Sequence, residues 1–355
     1  MLNRIAFTAF LIALAMALPA AAQAKTGAIV FSMATVEHPC CESEGKAPEP
    51  VTHGGLYASK NGHLNQLTED PTDSEPDFSA DGHTIAFVRG GDVWAMRADG
   101  SGQRQLTSGP EIDARPLVSP NGKYVLFERR ASEGAPRDLY TVRTGGGSSP
   151  HPLTQSPDDD HEASFSPDGC TIAFVRSVAE TGGGTADDVY TVRPSGIRLR
   201  KLTRTEHIDE FAPRDLDETI VYSRGESSEG PGAYADIYAM NEDGKKIRKL
   251  IAGAGSSFVE DATANGRTLL FRRDQGLWVK RPGHGGHKLA ELPDQSRTNA
   301  VFSSDGRKVA AFTATKEDQY LSVIDVATGR RSFSEVVGGE ETTIGPVIAW
   351  QPVRR

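Results

Sequence analysis

Phe165-Ser166-Pro167-Asp168-Gly169-Cys170-Thr171-Ile172-Ala173-Phe174 is the stretch that decides the fold, because its phrases return along the chain. After it come Asp188-Val189-Tyr190-Thr191-Val192 and a closing Lys201-Leu202-Thr203. The same order runs through Phe78-Ser79-Ala80-Asp81-Gly82, Ile85-Ala86-Phe87, Asp92-Val93-Trp94 and Gln105-Leu106-Thr107. Further copies run from Ser119-Pro120-Asn121-Gly122 through Leu139-Tyr140 to Leu153-Thr154, and from Asn265-Gly266 through Leu277-Trp278 to Lys288-Leu289. Another opens at Ser303-Ser304-Asp305-Gly306, and a degenerate one holds Thr219-Ile220-Val221-Tyr222, Asp236-Ile237-Tyr238 and Lys249-Leu250. A recurrence every 40 to 50 residues or so, roughly, marks a repeat architecture.

Each copy reads as four short strands, a to d. The Asp-Gly or Asn-Gly pair between a and b suits a tight hairpin whose residues need positive φ. Asp99-Gly100 and Asp243-Gly244 do the same between c and d. Strand b is apolar on both faces, as in Tyr124-Val125-Leu126-Phe127, which only sheets stacked face to face require. The expected fold is therefore an all-β propeller, a ring of twisted four-stranded blades with short edges. Seven c strands are countable, the first at Leu56-Tyr57 and the last at Leu321-Ser322-Val323, so seven blades are expected, with six or eight as alternatives. The a-like segment Pro346 to Trp350 and the b-like segment Ala28 to Phe31 complete one blade, closing the ring by pairing the two ends.

Phe-Ser-Pro-Asp-Gly, Ile-Ala-Phe, Asp-Val-Tyr and Leu-Thr together resemble the TolB-like propellers built from WD40-like PD40 repeats, over nearly the whole chain. The resemblance implies a propeller. It leaves function open among periplasmic binding proteins, accessory domains of peptidases and polysaccharide lyases. TolB itself carries an α/β domain before a six-bladed ring, and here the repeats begin too early to leave room for one. No Gly-x-Ser-x-Gly elbow of an α/β-hydrolase occurs.

The amino terminus has Arg4, an apolar run from Ile5 to Leu18, then Pro19 and Ala22-Gln23-Ala24, the layout of a secretory leader. Residues 1–24 are thus expected to be removed and 25–355 to form a single propeller domain. No lipid-attachment Cys follows the leader, since the first cysteine is Cys40. The expected location is the periplasm or the cell exterior, without membrane insertion, as a monomer. A formal charge of −9 and the lack of a basic stripe argue against nucleic acid and favour a cationic partner or a metal ion. Three cysteines do not make a disulfide framework.

Up-and-down connectivity places the a–b and c–d turns on one face and the b–c and d–a connections on the other. The second face receives the long segments Met33 to Gly54, Arg129 to Arg137, Ser177 to Asp187 and Gly225 to Ala235, where binding residues tend to lie. It also collects Asp73, Glu75, Asp113, Asp160, Glu162, Asp209 and Glu210, with Glu260 and Asp261 nearby and Arg115 and Arg297 as basic exceptions. A ring of carboxylates at a channel mouth attracts Ca²⁺ or the Lys and Arg side chains of a partner. The alternative is that these carboxylates cap loop N–H groups. His38, Cys40, Cys41 and His53 have transition-metal ligand types but not finger spacing. His161 and His207 lie in channel-facing connections where a metal-dependent lyase needs ligands. The leading expectation is a non-catalytic scaffold, needing no cofactor, that binds a cell-envelope or extracellular protein or peptide with a basic element. A metal-dependent carbohydrate-active enzyme and a small-ligand or sugar sensor are the alternatives.

Overall fold

The repeated phrases turn out to be turn and edge chemistry, and that chemistry sets where every strand begins. In the clearest repeat, Ser166 Oγ donates to Asp168 Oδ1 at 2.6 Å and accepts the Thr171 N–H at 2.9 Å. Asp168 Oδ1 also accepts the Cys170 N–H, and Gly169 supplies the φ of 71° that closes the hairpin. Ser79 with Asp81, Ser119 with Asn121 and Ser303 with Asp305 repeat the arrangement. At the outer edge, Thr203 Oγ1 accepts the Val189 N–H at 2.8 Å and donates to Asp188 at 3.2 Å. Thr107 and Thr154 hold Val93 and Leu139 in the same way. The Asp-x-aromatic and Leu-Thr phrases thus pin strand d onto strand c.

The computed structural model describes residues 27–37, 51–60, 63–179, 185–205, 208–216, 219–226, 235–251, 255–263, 267–281, 284–292, 297–314, 319–338 and 342–350. The expected leader, and with it Arg4, lies outside them, as do His38, Cys40, Cys41 and His207. The described residues form seven antiparallel four-stranded sheets and no helix. This is the seven-bladed ring the repeats call for. Blade 1 is built from both ends of the ring: strand a is Thr342–Trp350, b is Ile29–Glu37, c is Val51–Lys60 and d is His63–Gln66. Its register sets Ile29 opposite Trp350, Val30 opposite Ala349 and Phe31 opposite Ile348. Blades 2 to 7 follow in chain order, each with its strands a to d consecutive.

Alternation along strand b sends successive side chains to opposite neighbours. In blade 2 (a, Ser74–Phe78; b, Thr84–Arg89; c, Asp92–Arg97; d, Arg104–Gln105), Ile85 and Phe87 pack with Val30 and Leu56 of blade 1. Ala86 packs instead with Val125 and Phe127 of blade 3. The last interface joins Ala310, Phe312 and Leu321 of blade 7 to Ile29, Phe31 and Trp350 of blade 1. Each interface thus buries large side chains at about 1.5–3 kcal/mol apiece.

Arg129 to Arg137 keeps a loop at 131–136, as the sequence suggests, between strand b ending at Arg130 and strand c beginning at Arg137. Ser177 to Asp187, expected as a loop, is instead paired strand at both ends: b runs to Ala179 and c begins at Thr185. The b–c hairpins therefore carry paired strands out to the rim, and residues near their tips are fixed by sheet hydrogen bonds. Met33 and Gly54 likewise face each other's strand within blade 1.

Ring closure makes a definite energetic demand. Trp350→Ala is expected to lower stability by about 3–5 kcal/mol, read by urea denaturation. A loss below about 1 kcal/mol, within the range of ordinary surface substitutions and small repacking, would show that blade 1 does not depend on its C-terminal strand.

Candidate functional site

The structure does not leave the predicted carboxylates open at a channel mouth; it neutralises most of them. Asp73, Asp113 and Asp160 are 2%, 1% and 0% exposed. Each receives a two-pronged bond from an arginine in the second half of strand b in its own blade: Arg89 at 2.6 and 2.7 Å, Arg129 at 2.6 and 2.8 Å, Arg176 at 2.5 and 2.7 Å. The guanidinium then lies over two rings, Phe87 and Trp94, Phe127 and Tyr140, or Phe174 and Tyr190. Such stacked, bidentate contacts suit arginine's planar fork. Glu210 faces Arg224 more loosely at 3.6 Å and is also held by Thr203 and Thr205, while Glu260 faces Arg272 at 3.4 Å.

A second group of these residues stitches blade to blade. Glu75, Arg115 and Glu162 occupy a bulge in strand a with φ of 53°, 50° and 54°, as does Ala212 at 50°. Glu75 accepts the Arg115 N–H of the next blade, and Glu162 accepts the Ala212 N–H at 2.6 Å. Glu128 accepts the Glu162 N–H at 2.8 Å, and Asp261 accepts the Phe302 N–H at 2.8 Å. The capping alternative is therefore the one the structure shows for Glu75, Glu162 and Asp261. Arg297 lies in strand a of blade 7 (Arg297–Phe302), and its side chain is outside the described residues. His53 is exposed in strand c of blade 1. Among the described residues no group of three or more His, Cys, Asp or Glu side chains is arranged to hold a metal ion.

One corner of the rim differs, where blades 4 and 5 meet. Blade 4 comprises Asp159–Phe165, Ile172–Ala179, Thr185–Val192 and Arg200–Lys201; strand a of blade 5 is Ile208–Asp215. His161 Nε2 lies 3.1 Å from Ser177 Oγ, and Ser177 donates its proton to Asp187. The Asp187 N–H in turn reaches Asp209 at 3.3 Å. Arg137 binds Asp159 through two guanidinium nitrogens and its own N–H, and reaches Glu128 at 3.1 Å. Burial pushes the Asp187 carboxyl up, helped by the like charges of Asp209, Glu162 and Asp159. Burial, with Arg137 beside it, holds His161 down to about 4, so the ring is neutral near pH 7.

The order of this chain matters chemically. In a Ser-His-Asp relay the histidine stands between the other two and takes the serine proton. Here Ser177 is in the middle and its proton goes to Asp187, so the chain orients a carboxylate rather than activating a nucleophile. Neither Ser177 nor Asp187 was singled out by the sequence reading. The available signal was the doublet Asp187-Asp188, whose members point to opposite sides of strand c: Asp188 to Thr203 and Lys201, Asp187 to the rim. The cavity of about 610 Å³ between Asp70, Pro71, Arg89 and Gln103 is remote in sequence from this corner, and its arginine is already held by Asp73.

Two predictions follow from this division of carboxylates. Asp160→Asn leaves Arg176 buried without its counter-charge and is expected to cost about 3–5 kcal/mol, whereas Asp160→Leu combined with Arg176→Met recovers most of that loss; equal losses in a denaturant titration would contradict the pairing. For pH, Asp77, Glu210 and Glu260 are all pushed up to about 7, chiefly by burial. Their native forms hold protons that the unfolded chain has released, so their contribution to stability grows as pH falls from neutrality. His161 opposes them, because the unfolded chain takes up a proton through 6.5 and the native chain does not until about 4. Three groups outweigh one, so the melting temperature is expected to be higher at about pH 5.5 than at about pH 8, with Glu210→Gln narrowing the gap. A fall in melting temperature on that acidification would refute the assignment.

No family model matches the chain, and no curated protein matches it. Solved structures do. The oligogalacturonate lyase of Vibrio parahaemolyticus superposes with a TM-score of 0.61 at 11% identity, covering 84% of this chain and 91% of that one. TolB from Acinetobacter baumannii gives 0.54 at 13% identity, covering 91% and 83%. A puromycin-hydrolyzing peptidase of Mycobacterium tuberculosis gives 0.61 at 16% identity, over 81% of this chain and 49% of the peptidase. These values correct the expectation of a non-catalytic protein, because the same ring serves in a lyase and in a peptidase and gives no ground for setting enzymes aside. At such identities the likeness is one of architecture: this chain is similar in fold to TolB, to a lyase and to a peptidase alike.

Proposed function

We propose that this chain is an exported, TolB-like propeller that captures a basic side chain of a protein or peptide at the corner where blades 4 and 5 meet. The observation behind the reading is that Asp187, whose carboxyl is pushed up first by burial, is also crowded by the like charges of Asp209, Glu162 and Asp159. Elsewhere on the rim an arginine already answers Asp73, Asp113 and Asp160. At the corner Arg137 answers Asp159 and Glu128, and the oxygens of Asp187 and Asp209 remain as acceptors held by Ser177 and the backbone. An incoming guanidinium or ammonium group relieves like-charge repulsion there, which is the electrostatic complementarity that steers and selects partners. The strands that carry Ser177 and Asp187, Ile172–Ala179 and Thr185–Val192, pair with each other and hold the two side chains in place. Ca²⁺ is the competing occupant, since carboxylate oxygens also suit a hard cation.

The test uses capture from the native host's envelope extract by wild-type protein and by Asp187→Asn with Asp209→Asn. Loss of both charges is expected to weaken capture of basic partners about tenfold, roughly 1.4 kcal/mol, without loss of stability because neither carboxylate holds a buried arginine. Unchanged capture sinks the reading. Capture that Ca²⁺ alone abolishes at the same corner assigns the site to the ion, and an unsaturated product from oligogalacturonate assigns it to lyase chemistry.

A further inference from the structure

The face opposite the acidic corner carries the c–d turns. Five large hydrophobic side chains stand out as exposed among the described residues, and four lie together there, in blades 3 to 5: Ile197 at 57%, Ile247 at 46%, Leu199 at 45% and Tyr124 at 36%. The turns of blades 4 and 5 are built alike. Arg193 N–H bonds to Ile197 O in one and Asn241 N–H to Lys245 O in the other, with Gly196 and Gly244 at φ of 76° and 72°. This aligns Ile197-Arg198-Leu199-Arg200 with Lys245-Lys246-Ile247-Arg248. Arg200 also reaches across to Asp243 at 2.9 Å, joining the two turns into one surface.

Nothing in the hairpin calls for these residues. The equivalent turn of blade 2 has the same hydrogen bonds and is filled by Ser101-Gly102-Gln103, with glycine at φ 65°. In blades 4 and 5 that left-handed position holds Arg198 at φ 60° and Lys246 at 57°, where glycine is the unstrained choice. Two neighbouring turns therefore accept backbone strain to present a cation between exposed side chains. Six exposed bases lie on them against the two acids Glu242 and Asp243, in a protein whose net charge is −9. The stripe absent from the linear sequence is assembled here from turns one repeat apart.

We propose that this face docks on an anionic lipid bilayer. Basic residues are attracted to the surface potential of acidic headgroups, and short aliphatic side chains between them enter the headgroup boundary. Tyr124, with Arg143 over its ring at 5.7 Å, suits the same interface. A soluble polyanion satisfies the cations but leaves Ile197, Leu199 and Ile247 against water, and a second copy of the same basic face repels the first. The reading is independent of the acidic corner, which lies at the other end of the blades.

The experiment is co-sedimentation of purified protein with vesicles of phosphatidylcholine alone and with phosphatidylglycerol added. Arg198→Gly with Lys246→Gly removes two charges while relieving the positive-φ strain, so a weaker result cannot come from unfolding; near such a surface each base strengthens binding roughly fivefold. Ile197→Ser with Ile247→Ser removes the aliphatic contact. Binding that requires phosphatidylglycerol and falls in both variants supports the proposal. No binding to phosphatidylglycerol vesicles, equal binding to both vesicle types, or binding that either variant leaves unchanged overturns it, the aliphatic-insensitive case marking a polyanion site instead.

Discussion

Every blade of this protein must cover two apolar faces, and a row of such sheets has nowhere to stop until it meets itself. Val30 and Phe31 lie on opposite sides of one strand, and each is buried by a different neighbour, blade 2 on one side and blade 7 on the other. The pairing of residues 342–350 with 29–37 supplies the strand that makes this blade whole. Because the ring is closed, the ends of the strands are held at two separate faces, and charge can be sorted between them.

The sorting follows from the same alternation that builds the core. An aromatic on strand b and an arginine two residues later share a side, as in Phe87 with Arg89 or Phe174 with Arg176. The arginine reaches the acid at the start of strand a, covers the ring beneath it and leaves the rim nearly neutral. Hydrogen bonds to buried groups make these pairs costly to break yet no source of attraction for a partner. Among the described residues Asp187 and Asp209 have no arginine partner, and exposed bases gather on the far turns of blades 4 and 5.

The ring was legible because its phrases are local chemistry. Ser-x-Asp-Gly closes a hairpin through atoms within a few residues, and the Asp-x-aromatic and Leu-Thr pair bonds across one hairpin. The fate of the carboxylates was not, since Asp160 and Arg176 are sixteen residues apart and meet only through the bulged register of strands a and b. The aromatic-x-Arg pattern at Phe87, Phe127, Phe174 and Tyr222 carried the clue, but only alongside the register. The rim residues Ser177 and Asp187 were read as loop because hairpin length depends on tertiary support, which no local phrase records. The basic face escaped for a related reason: its charges are diluted along the chain and concentrated only by the repeat.

The central claim is that the rim holds one acidic corner and not an acidic ring. Titrating isotope-labelled protein with ethylguanidinium and following backbone amide resonances tests it directly. The account predicts saturable shifts at Asp187, Asp209, Glu162 and Ser177, with those around Asp73 and Asp113 unmoved. Shifts spread evenly around the seven blades, or absent at the corner, would contradict it.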